Sequence, residues 1–270
     1  MVTTEAEDEL ANFCMHPPKG WQISYEEQTP STNSIALELG CNGAAAGTLI
    51  IANSQSKGRG RLGKEWQSYA GCGLYLSLIL RPQLELAHLS RITLAAGVAL
   101  AATTATFTTV KPFLKWPNDL IIEGHKCAGI LAESDVRNVK APVVVLGVGV
   151  NIHTPPEGYD AELRGKANSI NAYTTKVMTR CGFLKKLIPA LHAAIEDLEQ
   201  GRFQEILKRW RGYDYTLGKQ LTWLTAGGEV IEGLCSGINN DGLLFITDAT
   251  GKIHEVLSGD VQLAAPRECE

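Results

Sequence analysis

Basic charge, closely spaced cysteines and unbroken apolar sequence are what this chain has little of. Its 25 lysines and arginines are outnumbered by 29 aspartates and glutamates, for a net charge of -4. That balance excludes the broad basic face that binding to a phosphate backbone needs. Seven cysteines are scattered with no C-x-x-C pair, so neither a disulfide framework nor a zinc ribbon is expected, and reduced thiols in a cytoplasmic protein are. The histidines lack metal-ligand spacing, and no structural metal is expected. The longest apolar stretches, Leu94 to Phe107 and Val143 to Ile152, are interrupted by threonine or glycine. They fall short of the ~20 apolar residues that span a bilayer, so no membrane span is expected. The opening MVTTEAEDELANF is acidic and has neither the cationic flank of a signal peptide nor the arginine-rich character of a transit peptide.

What is present is an ordinary globular composition: 44% hydrophobic and 20% charged residues over 270 positions, with a mean hydropathy of -0.03. That length accommodates one large domain with a small companion. STNSIALEL, with hydroxyl and amide residues ahead of an apolar patch, predicts a short helix from about Thr32. GTLIIANS and LYLSLILR read as strands, and His88 to Phe107 as a core-facing helix. Four further strands are expected around 113–116, 120–123, 127–133 and 143–151, with Gly124 in a hairpin turn. Met178 to Arg211 reads as helix, bent or delimited by Pro189. From Tyr213 to Leu263, short alternating runs separated by AGG, NNDG and ATG predict a small all-β barrel.

The loop Gly58-Arg59-Gly60-Arg61-Leu62-Gly63-Lys64 fits G-x-G-x-x-G and nearly fits a P-loop. Both motifs need a helix directly after the last glycine, because its N-terminal N–H groups hold the phosphates. Here a polar stretch and a strand follow, and Glu65 stands where a P-loop has its hydroxyl. What remains is a loop whose glycines let backbone approach an anion and whose arginines clamp carboxylate or phosphate oxygens, chemistry suited to an acyl phosphate. Lys57, Arg59, Arg61 and Lys64 repel one another, and only Glu65 is close by in sequence, so this loop is expected to be loose until an anion binds. Downstream, Lys115-Trp116-Pro117-Asn118-Asp119 aims an amide and a carboxylate, and Lys126, Gly129-Ile130-Leu131 and Gly147-Val148-Gly149-Val150-Asn151 follow.

Taken together and in this order, these residues resemble the biotin protein ligase family over roughly Ser31 to Leu263. The resemblance implies a mixed-sheet α/β (α+β) catalytic domain like that of class II synthetases, followed by a small C-terminal SH3-like β-barrel. The expected divisions are an N-terminal extension at 1–30, a catalytic domain at 31–212 and the SH3-like domain at 213–270. It implies joining of biotin to ATP as biotinyl-5'-adenylate, with Mg2+ accompanying the ATP, and transfer to a lysine of a biotin carboxyl carrier domain. By matching positions, Ser31, Thr32, Asn33 and Gln55 would meet the ureido head of biotin, and Gly129, Leu131 and Gly149 would line its bicyclic ring. Gly58, Arg59, Gly60 and Arg61 would hold its carboxylate and the α-phosphate. Trp66 would stack on adenine, with Asn118 and Asn151 positioning the nucleotide. Lys126 would stabilise charge on the α-phosphate and acyl oxygen, and Asp119 would orient the incoming amine or take its proton; with Arg59 and Arg61 these form the expected catalytic set. His125 is expected to be an exposed hairpin residue. About 30 residues before Ser31 are too few for a helix-turn-helix, so no DNA binding is expected. A monomer or a homodimer fits equally well. A lipoate-type acyl protein ligase and a non-catalytic biotin or adenylate sensor are the alternatives.

Overall fold

The computed structural model describes residues 4–138, 142–225, 227–256 and 260–264. Five helices and twelve strands follow in the order α1 (Thr4–Met15), β1 (Gln22–Thr29), α2 (Thr32–Cys41), β2 (Thr48–Gln55), β3 (Gly73–Leu80), α3 (Arg91–Ala105), β4 (Phe113–Lys115), β5 (Asp119–Ile122), β6 (His125–Asp135), β7 (Val143–Asn151), α4 (Arg180–Glu199), α5 (Phe203–Arg211), β8 (Gln220–Leu224), β9 (Val230–Ile238), β10 (Leu244–Asp248), β11 (Ile253–Val256) and β12 (Asp260–Leu263). The first seven strands form one mixed sheet in the order β1-β2-β3-β7-β6-β5-β4. Only β1 and β2 run parallel; every other neighbouring pair is antiparallel.

The two faces of this sheet separate by the period of two that strands impose. Ile50, Ile79, Val143 and Val145 point to one face and pack with Ala36 of α2. Leu49, Ile51, Leu78, Val144 and Leu146 point to the other face, into the main core with α3, α4 and α5. Each fully buried Leu, Ile or Phe side chain there stabilises the fold by ~1.5–3 kcal/mol. The stretch Leu86–Ala105 is long and apolar enough to cross a bilayer by length and composition. Within it, α3 is packed against α4, α5 and the sheet, with Ile92, Ala96 and Leu100 buried, so core burial accounts for its apolarity.

Three boundaries differ from the sequence reading. β1 falls in the stretch expected to be an extension, yet it pairs with β2 from Gln22 to Thr29 and forms the sheet edge. Its QISYEEQT sequence is largely polar because an edge strand keeps much of its surface in water. Pro189 neither ends nor delimits a helix but lies inside α4; it is exposed, so water can satisfy the Lys185 carbonyl it leaves unpaired. The helical stretch divides instead at Gln200–Arg202, where Gly201 takes a φ of 77°. Finally, Tyr213 and Tyr215 bond to the backbone of Leu114, so the linker still belongs to the β4 edge, and the second sheet begins at β8. That sheet is antiparallel, in the order β11-β10-β9-β8-β12.

Candidate active site

α2 is too short to cover its face of the sheet, and the strip it leaves bare is made of glycine. In the register of β3, β7 and β6, Ser77, Gly147 and Leu131 form one row, and Tyr75, Gly149 and Gly129 the next. A Cβ on Gly147 would overlap the Asn33 amide, and one on Gly129 or Gly149 would meet the Trp66 ring. The floor therefore admits a buried amide and an indole laid flat on backbone. Above it opens a cavity of about 260 Å³, bordered by the N-terminus of α2, the end of β2, the basic loop, the β4–β5 turn and β6.

One wall is a hydrogen-bonded chain. Gln55 Oε1 accepts from the Thr32 amide at 2.9 Å and its hydroxyl at 3.1 Å, while Gln55 Nε2 donates to Ser68 Oγ at 2.9 Å. Ser77 Oγ lies 2.8 Å from Thr32 Oγ1 and 2.6 Å from Asn33 Oδ1. Ser77 has one hydroxyl proton and Asn33 Oδ1 has none to give, so Ser77 donates to Asn33. The Thr32 proton then turns to Ser77 or to Gln55, a choice a ligand can alter. Asn33 Nδ2 donates to the Leu131 carbonyl at 3.3 Å and to Glu133 Oε2 at 2.9 Å. Ser31 is buried at the N-cap of α2 without using its side chain as a cap.

The facing wall carries charge. Gly60 N–H donates to the Lys64 carbonyl at 2.7 Å and Trp66 N–H to the Gly58 carbonyl at 3.0 Å, drawing the basic loop into a tight hairpin. A Cβ on Gly58 would overlap the Trp66 carbonyl, so its role is to close the hairpin. A carboxylate remote in sequence meets this loop: Glu133 Oε1 lies 2.7 Å from Arg59 Nη2. Lys126 Nζ is 2.7 Å from Asp119 Oδ1 and 5.4 Å from the centre of the Trp66 ring, where cation–π attraction operates. Trp66 Nε1 is buried without a hydrogen-bond partner. Asn118 Nδ2 donates to the Ile130 carbonyl at 2.8 Å and Asn118 Oδ1 faces Arg61 Nη1 at 3.5 Å, so the β4–β5 turn is fastened to β6.

Most residues expected from the sequence border this cavity; Gly58 and Asn151 do not. Asn151 Nδ2 donates to the Asn168 carbonyl at 3.3 Å, and Asn168 and Lys166 bond to the backbone of Lys126. Its connection to the site therefore runs through the strand segment that holds Lys126. Gly129 and Gly149, expected under the biotin ring, lie under Trp66 here. His125 is half-buried and not exposed, with Nδ1 3.2 Å from the Tyr173 hydroxyl. Sequence reasoning missed Ser68, Ser77 and Glu133, and it quoted Gly147 only within its motif without a role. Glu133 and Gly147 were detectable in principle, as the residues in step with Gly129 and Gly149 at a strand period of two. Among the described residues, no group of three His, Cys, Asp or Glu could hold a metal ion.

The geometry has counterparts. Residues 25–151 match the model of the biotin/lipoate A/B protein ligase family, and residues 216–264 match the biotin protein ligase C terminal domain. The chain is 33% identical to the biotin–[acetyl-CoA-carboxylase] ligase of Mycobacterium tuberculosis over 248 residues, 90% of this chain and 89% of that one. It is 31% identical over 244 residues to the bifunctional ligase/repressor BirA of Bacillus subtilis, covering 90% of this chain and 74% of the relative. Among solved structures, the biotin protein ligase from Aquifex aeolicus in complex with biotin and ATP superposes with a TM-score of 0.79 at 26% identity, covering 90% of this chain and 99% of that one. With both sheets matched and the anion-facing loop, the polar wall and the lysine–aspartate pair gathered in one cavity, the chain is an enzyme of the biotin protein ligase family.

Proposed function

We propose that this enzyme activates biotin with ATP as biotinyl-5'-adenylate and passes the biotinyl group to a lysine of a biotin carboxyl carrier domain. The observation that carries the reading is that a buried polar wall and a cationic wall share one cavity over a glycine floor. Such a cavity takes a ligand with a neutral hydrogen-bonding head and an anionic tail. Ser31, Thr32, Asn33 and Gln55 satisfy the ureido head, and Thr32 is suited to it because its proton has two available directions. The tail carboxylate meets Arg59 and Arg61 beside the α-phosphate, two anions that repel unless cations lie between them.

In the first step a carboxylate oxygen attacks the α-phosphorus, the bond from that phosphorus to the oxygen bridging to the β-phosphate breaks, and pyrophosphate leaves. Lys126 leaves Asp119 for the oxygens that gain charge. In the second step the neutral acceptor amine attacks the acyl carbon, AMP leaves with the electron pair of the anhydride bond, and an amide forms. Asp119, now without its lysine, holds or takes the proton the nitrogen sheds. Trp66 covers the reacting atoms against water, stacks on adenine and finds an acceptor for its indole N–H. Asn118 and Asn151 act on the nucleotide through Arg61 and through the Lys126 backbone. Asp119 and Glu133 are already ion-paired, so these two residues offer no dedicated metal cage. Mg2+ fits as a companion of the ATP phosphates, neutralising their charge. The cytoplasm suits an ATP-dependent enzyme whose six described cysteines are all reduced thiols.

Incubating the protein with ATP, Mg2+, biotin and a carrier domain, then weighing the carrier by mass spectrometry, tests this directly. The expected result is a gain of one biotinyl group that depends on ATP. Biotin binding with an unmodified carrier would make the protein a sensor, and preferential transfer of lipoate would make it a lipoate-type ligase.

A further inference from the structure

We propose that Glu133 is a positioning residue that fixes Arg59 and ties the cationic wall of the cavity to the polar wall. The proposal rests on the reading above for what Arg59 holds. Its geometry is independent of that reading.

Two contacts of different character meet on the Glu133 carboxylate. Oε1 pairs with Arg59 Nη2 at 2.7 Å, and Oε2 accepts from Asn33 Nδ2 at 2.9 Å. The Arg59 side chain is 48% exposed and that of Glu133 only 21%, so the arginine comes from the solvent side to a carboxylate already seated. What seats it is rigid. Asn33 is buried, its Oδ1 receives the proton of the fully buried Ser77, and its amide fills the notch left by the missing side chain of Gly147. A guanidinium has N–H donors in a fixed planar fork. Holding one terminal nitrogen from behind sets the plane of the fork and leaves the rest of its donors for an incoming carboxylate or phosphate.

The pairing has two consequences. Arg59 lies within the basic hairpin, so Glu133 supplies charge compensation from a strand remote in sequence and helps hold the hairpin before any ligand arrives. The chain Gln55–Thr32–Ser77–Asn33–Glu133–Arg59 also joins the groups that face the ligand head to the group that faces its charged tail.

The variant E133Q separates the two contacts, because a glutamine oxygen still accepts from Asn33 while the charge that holds Arg59 is gone. R59Q cuts the same pair from the other side without touching Asn33. Limited trypsinolysis of ligand-free protein, scored only after Arg61 and Lys64, should be about fivefold faster in either variant, with the melting temperature unchanged. The two changes combined should be no faster than one. In the biotinylation assay E133Q should lower kcat/KM for ATP and for biotin about tenfold, and its effect should vanish in the R59Q background. Cleavage of both variants at the wild-type rate, or additive effects in the double variant, would overturn the role of Glu133. A wild-type protein that fails to modify a carrier would instead overturn the ligase reading, and the cleavage rates would still decide for or against Glu133.

Discussion

At the scale of single residues, the Lys126–Asp119 pair is the contact on which the proposed mechanism turns, with each member withholding the other until substrates arrive. In the proposed mechanism Lys126, 2.7 Å from Asp119, exchanges one anion for another as phosphate charge develops. Lys126→Ala should therefore suppress pyrophosphate release by about a hundredfold or more and leave biotin affinity almost intact, because the charge it meets grows after binding. Normal pyrophosphate release in that variant would remove the lysine from the first step. Asp119→Asn should slow transfer to the carrier lysine at least as much as activation, measured by single-turnover transfer from preformed adenylate. A second residue effect lies outside the cavity, at His153, whose pKa is lowered by burial first and by the nearby Arg180 second. Asn171 Oδ1 accepts from the Met178 amide, so Asn171 Nδ2 is the atom facing His153 Nδ1 at 3.0 Å, and it donates to a neutral ring. The unfolded imidazole takes up its proton near pH 6.5 and the folded one only lower, so over that window the unfolded chain binds more protons. Stability should fall as pH drops through 6.5 toward the folded value. Urea midpoints at pH 7.5 and pH 5 should separate less in His153→Gln than in the parent.

At the scale of elements, the site is a consequence of where β6 and β7 omit side chains. Gly147→Ala should expel Asn33 from its notch, destabilise the protein by about 1–3 kcal/mol through overpacking and weaken biotin binding at least tenfold. Calorimetry with biotin alone reads this, and unchanged affinity would detach Asn33 from the ligand head. The strands β2 to β7, helix α3 and the β5–β6 hairpin were legible in the sequence, because alternation, apolar spacing and Gly124 with its φ of 80° are local signals. β1 and α1 were not, since a polar edge strand and an acidic helix are stabilised by neighbours far along the chain. The cavity was legible to the extent that its residues come from turns, strand ends and helix ends, where Gln55, Arg59, Asn118 and Lys126 stand out by residue type. Ser77 was not, because it lies within an apolar strand and acquires its role only through the register with Gly147.

At the scale of the whole molecule, the two sheets share one core, with Leu221, Ile238, Leu244 and Val256 of the second sheet continuous with the side chains of α3 to α5. The junction centres on the β9–β10 turn. Gly242 offers its carbonyl to Trp116 Nε1 at 3.0 Å, Asp241 pairs with Arg91 at 3.2 Å, and the Ile238 and Asn239 carbonyls accept from Arg211. Trp116 opens the turn that carries Asn118 and Asp119, so the C-terminal sheet meets this turn through the Gly242 carbonyl and also borders the cavity at Val261. Gly242 has a φ of 87°, and a Cβ there would press on Leu94 and Phe203. Gly242→Ala should therefore shift this turn, release Trp116 and raise the KM for ATP and for the carrier while biotin affinity, built on the polar wall at α2 and β2, persists. Gly251→Ala is the control, because Gly251 has a similar φ of 85° but nothing within 4 Å of an added Cβ. It carries the same backbone strain, worth about 1–2 kcal/mol, without the collision. If the two variants lose stability and carrier affinity alike, strain alone is responsible and the second sheet does not position the catalytic turn. If only Gly242→Ala raises the KM for ATP and carrier, with both proteins folded by circular dichroism, the second sheet acts on catalysis through Trp116.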